Sequence, residues 1–151
     1  MITVRIAQEC RPPKVSLPRL EALVVSICGR FSVTDALVSV VIVDDRQITE
    51  CNREFLGREK TTDSISFDLS DGAEKERIFE VIVNGEKASQ EAVFRNHSPE
   101  AELALYVTHG LLHNLGYDDL DEIRAREMHQ LEDAILEGFG YGIVYDTVKK
   151  A

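Results

Sequence analysis

The spacing of apolar residues divides this chain into strands in its first half and helices in its second. Residues 2–7 (ITVRIA) alternate apolar and polar, the period of a half-buried strand. Pro12 and Pro13 stop it. Ser16 caps a predicted helix with Pro18 in its first turn. Leu20, Leu23, Val24 and Ile27 form its buried stripe, up to about Gly29. Val38 to Val43 is β-branched and reads as a buried strand. Asp44 or Asp45 opens a short helix that runs to about Phe55 and stops at Gly57. Asp63 to Leu69 (DSISFDL) alternates again, Asp71-Gly72 marks a turn, and Ile78 to Val83 is a further strand. Gly85 to Asn96 then reads as a helix. Ser98-Pro99-Glu100-Ala101-Glu102 is a helix start, with a capping hydroxyl, a first-turn proline and acids at the positive dipole end. That helix runs to Leu115, with Gly116 as its left-handed stop. Asp119 or Asp121 begins the last helix, to about Gly138, with Ile123, Leu131, Ile135 and Phe139 near one face. About four strands followed by helices predict an α+β fold in one layered core.

The 151 residues contain no repeat, low-complexity stretch or Gly/Ser/Pro-rich linker, so residues 1–151 read as a single domain. With 44% hydrophobic and 29% charged residues the chain has the balance of a globular protein, which excludes intrinsic disorder. No apolar run approaches the roughly 18–20 residues that span a membrane. The start, MITVRIAQECR, lacks the pattern of a signal peptide. Cys10, Cys28 and Cys51 are odd in number and widely spaced, which fits a reducing cytoplasm rather than a disulfide framework.

The net charge of −10 argues against indiscriminate nucleic-acid binding, and DNA is not an expected partner. Its distribution is uneven. Residues 1–60 carry 9 basic and 8 acidic side chains, residues 61–151 carry 8 and 19. A polyanion therefore approaches the first half more easily, while most of the remaining acids make a solvated outer face.

His109 and His113 lie four residues apart on a predicted helix, which puts both imidazoles on one face, one turn apart. This is how a helix offers two nitrogens to one metal ion. Gly116 then reverses the chain, so Tyr117-Asp118-Asp119 folds back towards the histidines. Asp119 is placed as a third ligand or as a cap of the next helix, and the two roles may be divided between Asp118 and Asp119. Zinc accepts two His and one carboxylate and keeps its fourth position for water, whose pKa it lowers. Position 110 is Gly, so the H-E-x-x-H of zinc peptidases is missing. A glycine inside a helix is costly, so position 110 points to a packing or a functional requirement.

The stretch His109 to Asp119, HGLLHNLGYDD, resembles the signature H-G-x-L-H-x-x-G-Y-D-H of the YbeY family of bacterial metallo-endoribonucleases. Thr62 to Leu69, TDSISFDL, resembles that family's T-D-V-L-S-F-P-L strand. Asn52 to Gly57 and Glu80 to Asn84 resemble the segments on either side of it, and the likeness covers most of residues 36–140. The resemblance implies a small mixed sheet around a central metal-bearing helix. It implies one zinc per chain on His109, His113 and Asp119, and endonucleolytic cleavage of single-stranded RNA. Its further implications are maturation of ribosomal RNA, chiefly the 3′ end of the small-subunit RNA, ribosome quality control and the small ribosomal subunit as partner. The chain departs from the family in Asp119 for the third histidine, Leu56 for an arginine before the loop glycine, Thr61 for a proline and Ser64 for a valine. Carboxylate is a harder ligand than imidazole and shifts preference from zinc towards manganese or magnesium.

Around that centre, Glu80 and Asp63 stand at strand positions the family places near the site and are the candidate acid/base groups. Arg58 and Lys60 are the candidate phosphate contacts. Ser66 and Phe67 are expected along the groove, His97 within reach of it, and His129 at the surface. Two other readings are a metal-dependent hydrolase of a different substrate and a non-catalytic ribosome-assembly protein.

Overall fold

The four predicted strands form one sheet. The computed structural model describes residues 1–11, 13–73 and 75–142, so Pro12 lies outside the described residues. The strands are β1 (Ile2–Gln8), β2 (Ala36–Val43), β3 (Ser64–Asp68) and β4 (Arg77–Asn84). They lie in the order β1-β2-β4-β3. β1 and β4 both run parallel to β2, while β3 runs antiparallel to β4. The sheet is therefore mixed, and the fold is α+β.

Five helices surround it: α1 (Leu17–Arg30), α2 (Asp45–Leu56), α3 (Gly85–Arg95), α4 (Pro99–Asn114) and α5 (Glu122–Phe139). Their ends follow local chemistry. The Ser16 side chain accepts from the Arg19 N–H, and Asp44 forms a reciprocal capping box with Gln47. Ser98 caps α4 through the Ala101 N–H. Asp121, not Asp119, caps α5.

Strand alternation gives the sheet two different faces. On one, Val38, Val40 and Ile42 of β2 and Phe79, Val81 and Val83 of β4 join Leu23, Val24 and Ile27 of α1 and most of α4 in the main core. On the other, Val43, Ile48 and Ile65 form a smaller cluster beneath α2, with Cys51, Phe67 and Ile82 against it. α4 is buried nearly all round, because the sheet covers one side and α1, α3 and α5 cover the others. α5 turns Met128, Ile135 and Leu136 inward. Ile123, expected on that face, is 69% exposed, since it lies in the first turn of α5 before the helix meets the core. Among the described residues no helix is long and apolar enough to cross a membrane.

Candidate metal centre

The last turn of α4 and the reversal after it bring three side chains together. Leu115 caps the helix, and Gly116 adopts φ +102°, a conformation that suits glycine. The Tyr117 N–H then donates back to the Leu112 carbonyl (3.0 Å). This fold-back places the Tyr117 carbonyl 3.1 Å from His113 Nδ1. Asp118 turns the other way, accepting from the Leu120 N–H (3.2 Å) and pairing with Arg124 (3.2 Å). With Asp118 and Asp121 engaged in the turn and in the α5 cap, Asp119 is the aspartate that faces the histidines. Its carboxylate oxygens lie 3.7 Å from His109 Nε2 and 3.8 Å from His113 Nε2.

The two Nε2 atoms are 3.1 Å apart. Each imidazole has its other nitrogen engaged with an oxygen acceptor. His113 Nδ1 donates to the Tyr117 carbonyl, and His109 Nδ1 donates to Glu132 Oε2 at 2.5 Å. An imidazole that donates from Nδ1 in its neutral form carries a lone pair on Nε2. Two ring nitrogens and a carboxylate thus converge, a group of ligand atoms that could hold one metal ion. Nitrogen ligands about 2.0–2.1 Å from a tetrahedral zinc lie roughly 3.3 Å from each other, and the 3.1 Å spacing fits one shared ion.

Behind the centre, Glu132 is fully buried. Burial works to raise its pKa, but the hydrogen bonds from His109 and from His129 outweigh that and leave it lowered. Burial likewise works against a charged His109, yet the Glu132 bond and the charges of Glu132, Asp63 and Asp119 raise its pKa. A cleft of about 280 Å³ opens at His109 and includes Asp63, Glu102, Tyr106, His129 and Glu132 in its lining. Burial, together with Glu102 and Asp63, raises the Tyr106 phenol far above its usual range.

The other candidate residues divide between the two faces of the sheet. Asp63 lines the cleft beside His109. Glu80 does not. It alternates with Phe79 and Val81 and so lies on the α2 face, opposite Phe67 in the ladder and close enough to Cys51 to raise its thiol pKa. Phe67 packs edge-on against Phe55 at 5.8 Å on that same face, away from the groove. Ser66 pairs with Val81 and stands on the α4 side. Arg58 follows the left-handed Gly57 in an exposed loop, and the Lys60 carbonyl accepts from Asn52 Nδ2 (2.9 Å); neither side chain lines the cleft. His97 bonds to Glu102 at the start of α4 instead of reaching the metal ligands.

His129 is not a surface residue. Its Nδ1 lies 2.7 Å from Glu132 Oε1, and its ring is nearly parallel to that of His109. His129 and Glu132 are spaced i, i+3, a pattern indistinguishable in the sequence from an ordinary exposed helical pair. Only the packing of α5 on α4 turns it inward.

The family described as endoribonuclease YbeY matches residues 6–140. Endoribonuclease YbeY of Carboxydothermus hydrogenoformans is 36% identical over 104 residues, covering 69% of this chain and 73% of that one. Endoribonuclease YbeY of Bacillus licheniformis is 33% identical over 141 residues, covering 86% and 89%. A Thermotoga maritima protein solved in solution superposes with a TM-score of 0.61 at 26% identity, over 91% of this chain and 89% of that one. With the matched family pattern running from β1 to the end of α5, the chain belongs to the YbeY endoribonuclease family.

Proposed function

We propose that this chain is a zinc-dependent endoribonuclease that cuts single-stranded RNA, with one ion held by His109, His113 and Asp119. The observation that carries the reading is the convergence of the two Nε2 atoms and the Asp119 carboxylate, with both Nδ1 atoms engaged. His109, His113 and Asp119 would hold the ion, which would lower the pKa of a bound water and offer positive charge to the phosphoryl oxygens. Glu132 and the Tyr117 carbonyl hold the two imidazoles in their ligating orientation. Asp63 lines the cleft with His109, which supports a role for it in moving a proton at the reacting phosphodiester. Arg58 and Lys60, on the exposed loop after α2, supply cations for phosphates farther along the strand. The endoribonuclease activity for which the relatives are named and the family's signature support RNA as substrate. We assign the chain to the cytoplasm and to maturation of small-subunit ribosomal RNA at its 3′ end, with a part in ribosome quality control.

The test combines metal content with cleavage. Protein purified without chelators carries about one zinc per chain and cuts a single-stranded RNA. Asp119→Ala loses most of the metal, and His113→Ala, still folded, loses the cleavage. A wild-type protein that is loaded with zinc or manganese and leaves RNA intact overturns the nuclease reading.

A further inference from the structure

α5 lies outside the ligand set proposed above, yet its His129 and Glu132 cluster with His109 directly behind it. Glu132 has no exposed surface, and a buried carboxylate is costly unless donors surround it. Two imidazoles supply them, one to each oxygen. His109 Nδ1 is 2.5 Å from Oε2, and His129 Nδ1 is 2.7 Å from Oε1. The two rings are 16° from parallel with centroids 6.3 Å apart, so the carboxylate links a nearly parallel pair. His129 is about one-fifth exposed and lies in the cleft wall, within the same polar cluster.

The bond to His109 fixes which nitrogen of that ring is free for a ligand. The bond from His129 fixes the carboxylate that makes it. A carboxylate anchored at one oxygen can turn about its last side-chain bond; anchored at both, it cannot turn without breaking a bond. Removing the His129 donor leaves Oε1 charged and unsolvated. The carboxylate relieves this by turning towards the water of the cleft, which weakens its hold on His109. We infer that His129 is a positioning residue of the metal centre, acting through Glu132 to keep His109 Nε2 aimed at the ion. This inference rests on His109, His113 and Asp119 being the ligands.

Zinc affinity, measured by competition with a chromogenic chelator and needing no RNA, tests it. Outer-shell partners of metal-bound histidines typically contribute about 10–100-fold in affinity. Glu132→Gln is expected to weaken zinc within that range, and His129→Ala, one bond farther out, by about tenfold. The double variant is expected to bind no more weakly than Glu132→Gln alone, because the effect of His129 passes through the carboxylate. His129→Asn keeps an N–H donor near the position of Nδ1 and recovers most of the affinity, whereas His129→Phe fills the ring volume without a donor and does not. The Asn and Phe pair makes the comparison if the alanine variant fails to fold.

Zinc affinity unchanged in His129→Phe overturns the inference. So does a loss that adds in full to that of Glu132→Gln, and so does an asparagine variant as weak as the phenylalanine one. A wild-type protein that binds no zinc fails at the ligand set itself, which distinguishes that failure from failure of the His129 role.

Discussion

Gly110 lies directly against Val81: a Cβ at position 110 would stand 2.5 Å from Val81 Cγ1, closer than any real contact. The glycine between the two histidine turns is therefore a packing requirement. It lets α4, the helix that carries His109 and His113, press onto the middle of β4. A glycine within a helix costs about 1 kcal/mol relative to alanine, and here the close approach offsets that cost.

Gly110→Ala is accordingly expected to destabilise the protein. Overpacking typically costs about 1–3 kcal/mol, of which the better helix propensity returns about 1. Urea midpoints of Gly110→Ala and of the same chain carrying Val81→Ala measure this. The second change opens the space, so its cost is smaller in the Gly110→Ala background than in the wild type. A cost of Val81→Ala that is the same in both backgrounds refutes the packing account.

Asp119→His restores the imidazole found at this position of the family signature. Imidazole favours zinc over manganese relative to carboxylate, so the ratio of zinc to manganese affinity should rise at least about tenfold. Parallel titrations of the two metals read that ratio directly. A ratio that stays constant means Asp119 does not ligate.

Glu80 and Asp63 divide sharply by sheet face. Glu80→Gln should leave zinc affinity and the RNA cleavage rate within about twofold of wild type, since surface substitutions away from a site have small effects. Asp63→Asn should slow cleavage about 100-fold, the lower range for loss of a proton-transfer group, with zinc still bound. Equal effects of the two substitutions would undo this assignment.

Asp68 carries a predicted pH dependence. The Ser70 hydroxyl is the main cause that holds its pKa below the usual carboxylate value; burial, the next in size, opposes it, and the Ser70 N–H and Arg77 add to the lowering. A carboxyl group with a folded-state pKa below its unfolded value stabilises the fold above that unfolded value. The contribution then disappears as the pH falls through the folded pKa. Urea midpoints between about pH 6 and pH 3 should therefore fall less steeply for Asp68→Asn than for wild type. An identical slope would show that the group does not report on folding.

Much of the fold is legible in the chain because its signals are local. Ser16, Asp44 and Ser98 announce helix starts through side chains that reach only three residues ahead, and Gly116 announces a reversal through its own backbone. The clustering of His109, His113 and Asp119 is legible for the same reason, since they belong to one helix end and its turn. Glu80 was not, because alternation separates two faces of a strand without telling which one receives α4. His129 was hidden more deeply. Its partner Glu132 is a neighbour on the same helix, and a polar pair at that spacing reads as solvated until another helix covers it. Ile123 errs in the opposite sense, an apolar residue in phase with the buried stripe but beyond the reach of the core.

All three ligand candidates fall within the eleven residues from His109 to Asp119. Bringing them together closes only a short loop, at little entropic cost, and the segment can chelate an ion before the sheet has formed. A metal that also binds the unfolded chain stabilises the native state only by the difference between the two affinities. On the proposed ligand set, that difference would reside largely in what the unfolded segment lacks, the buried carboxylate delivered from α5. Metal loading and folding would then be only loosely linked: a disordered chain could acquire the ion early, and its removal would loosen the end of α4 without unfolding the sheet.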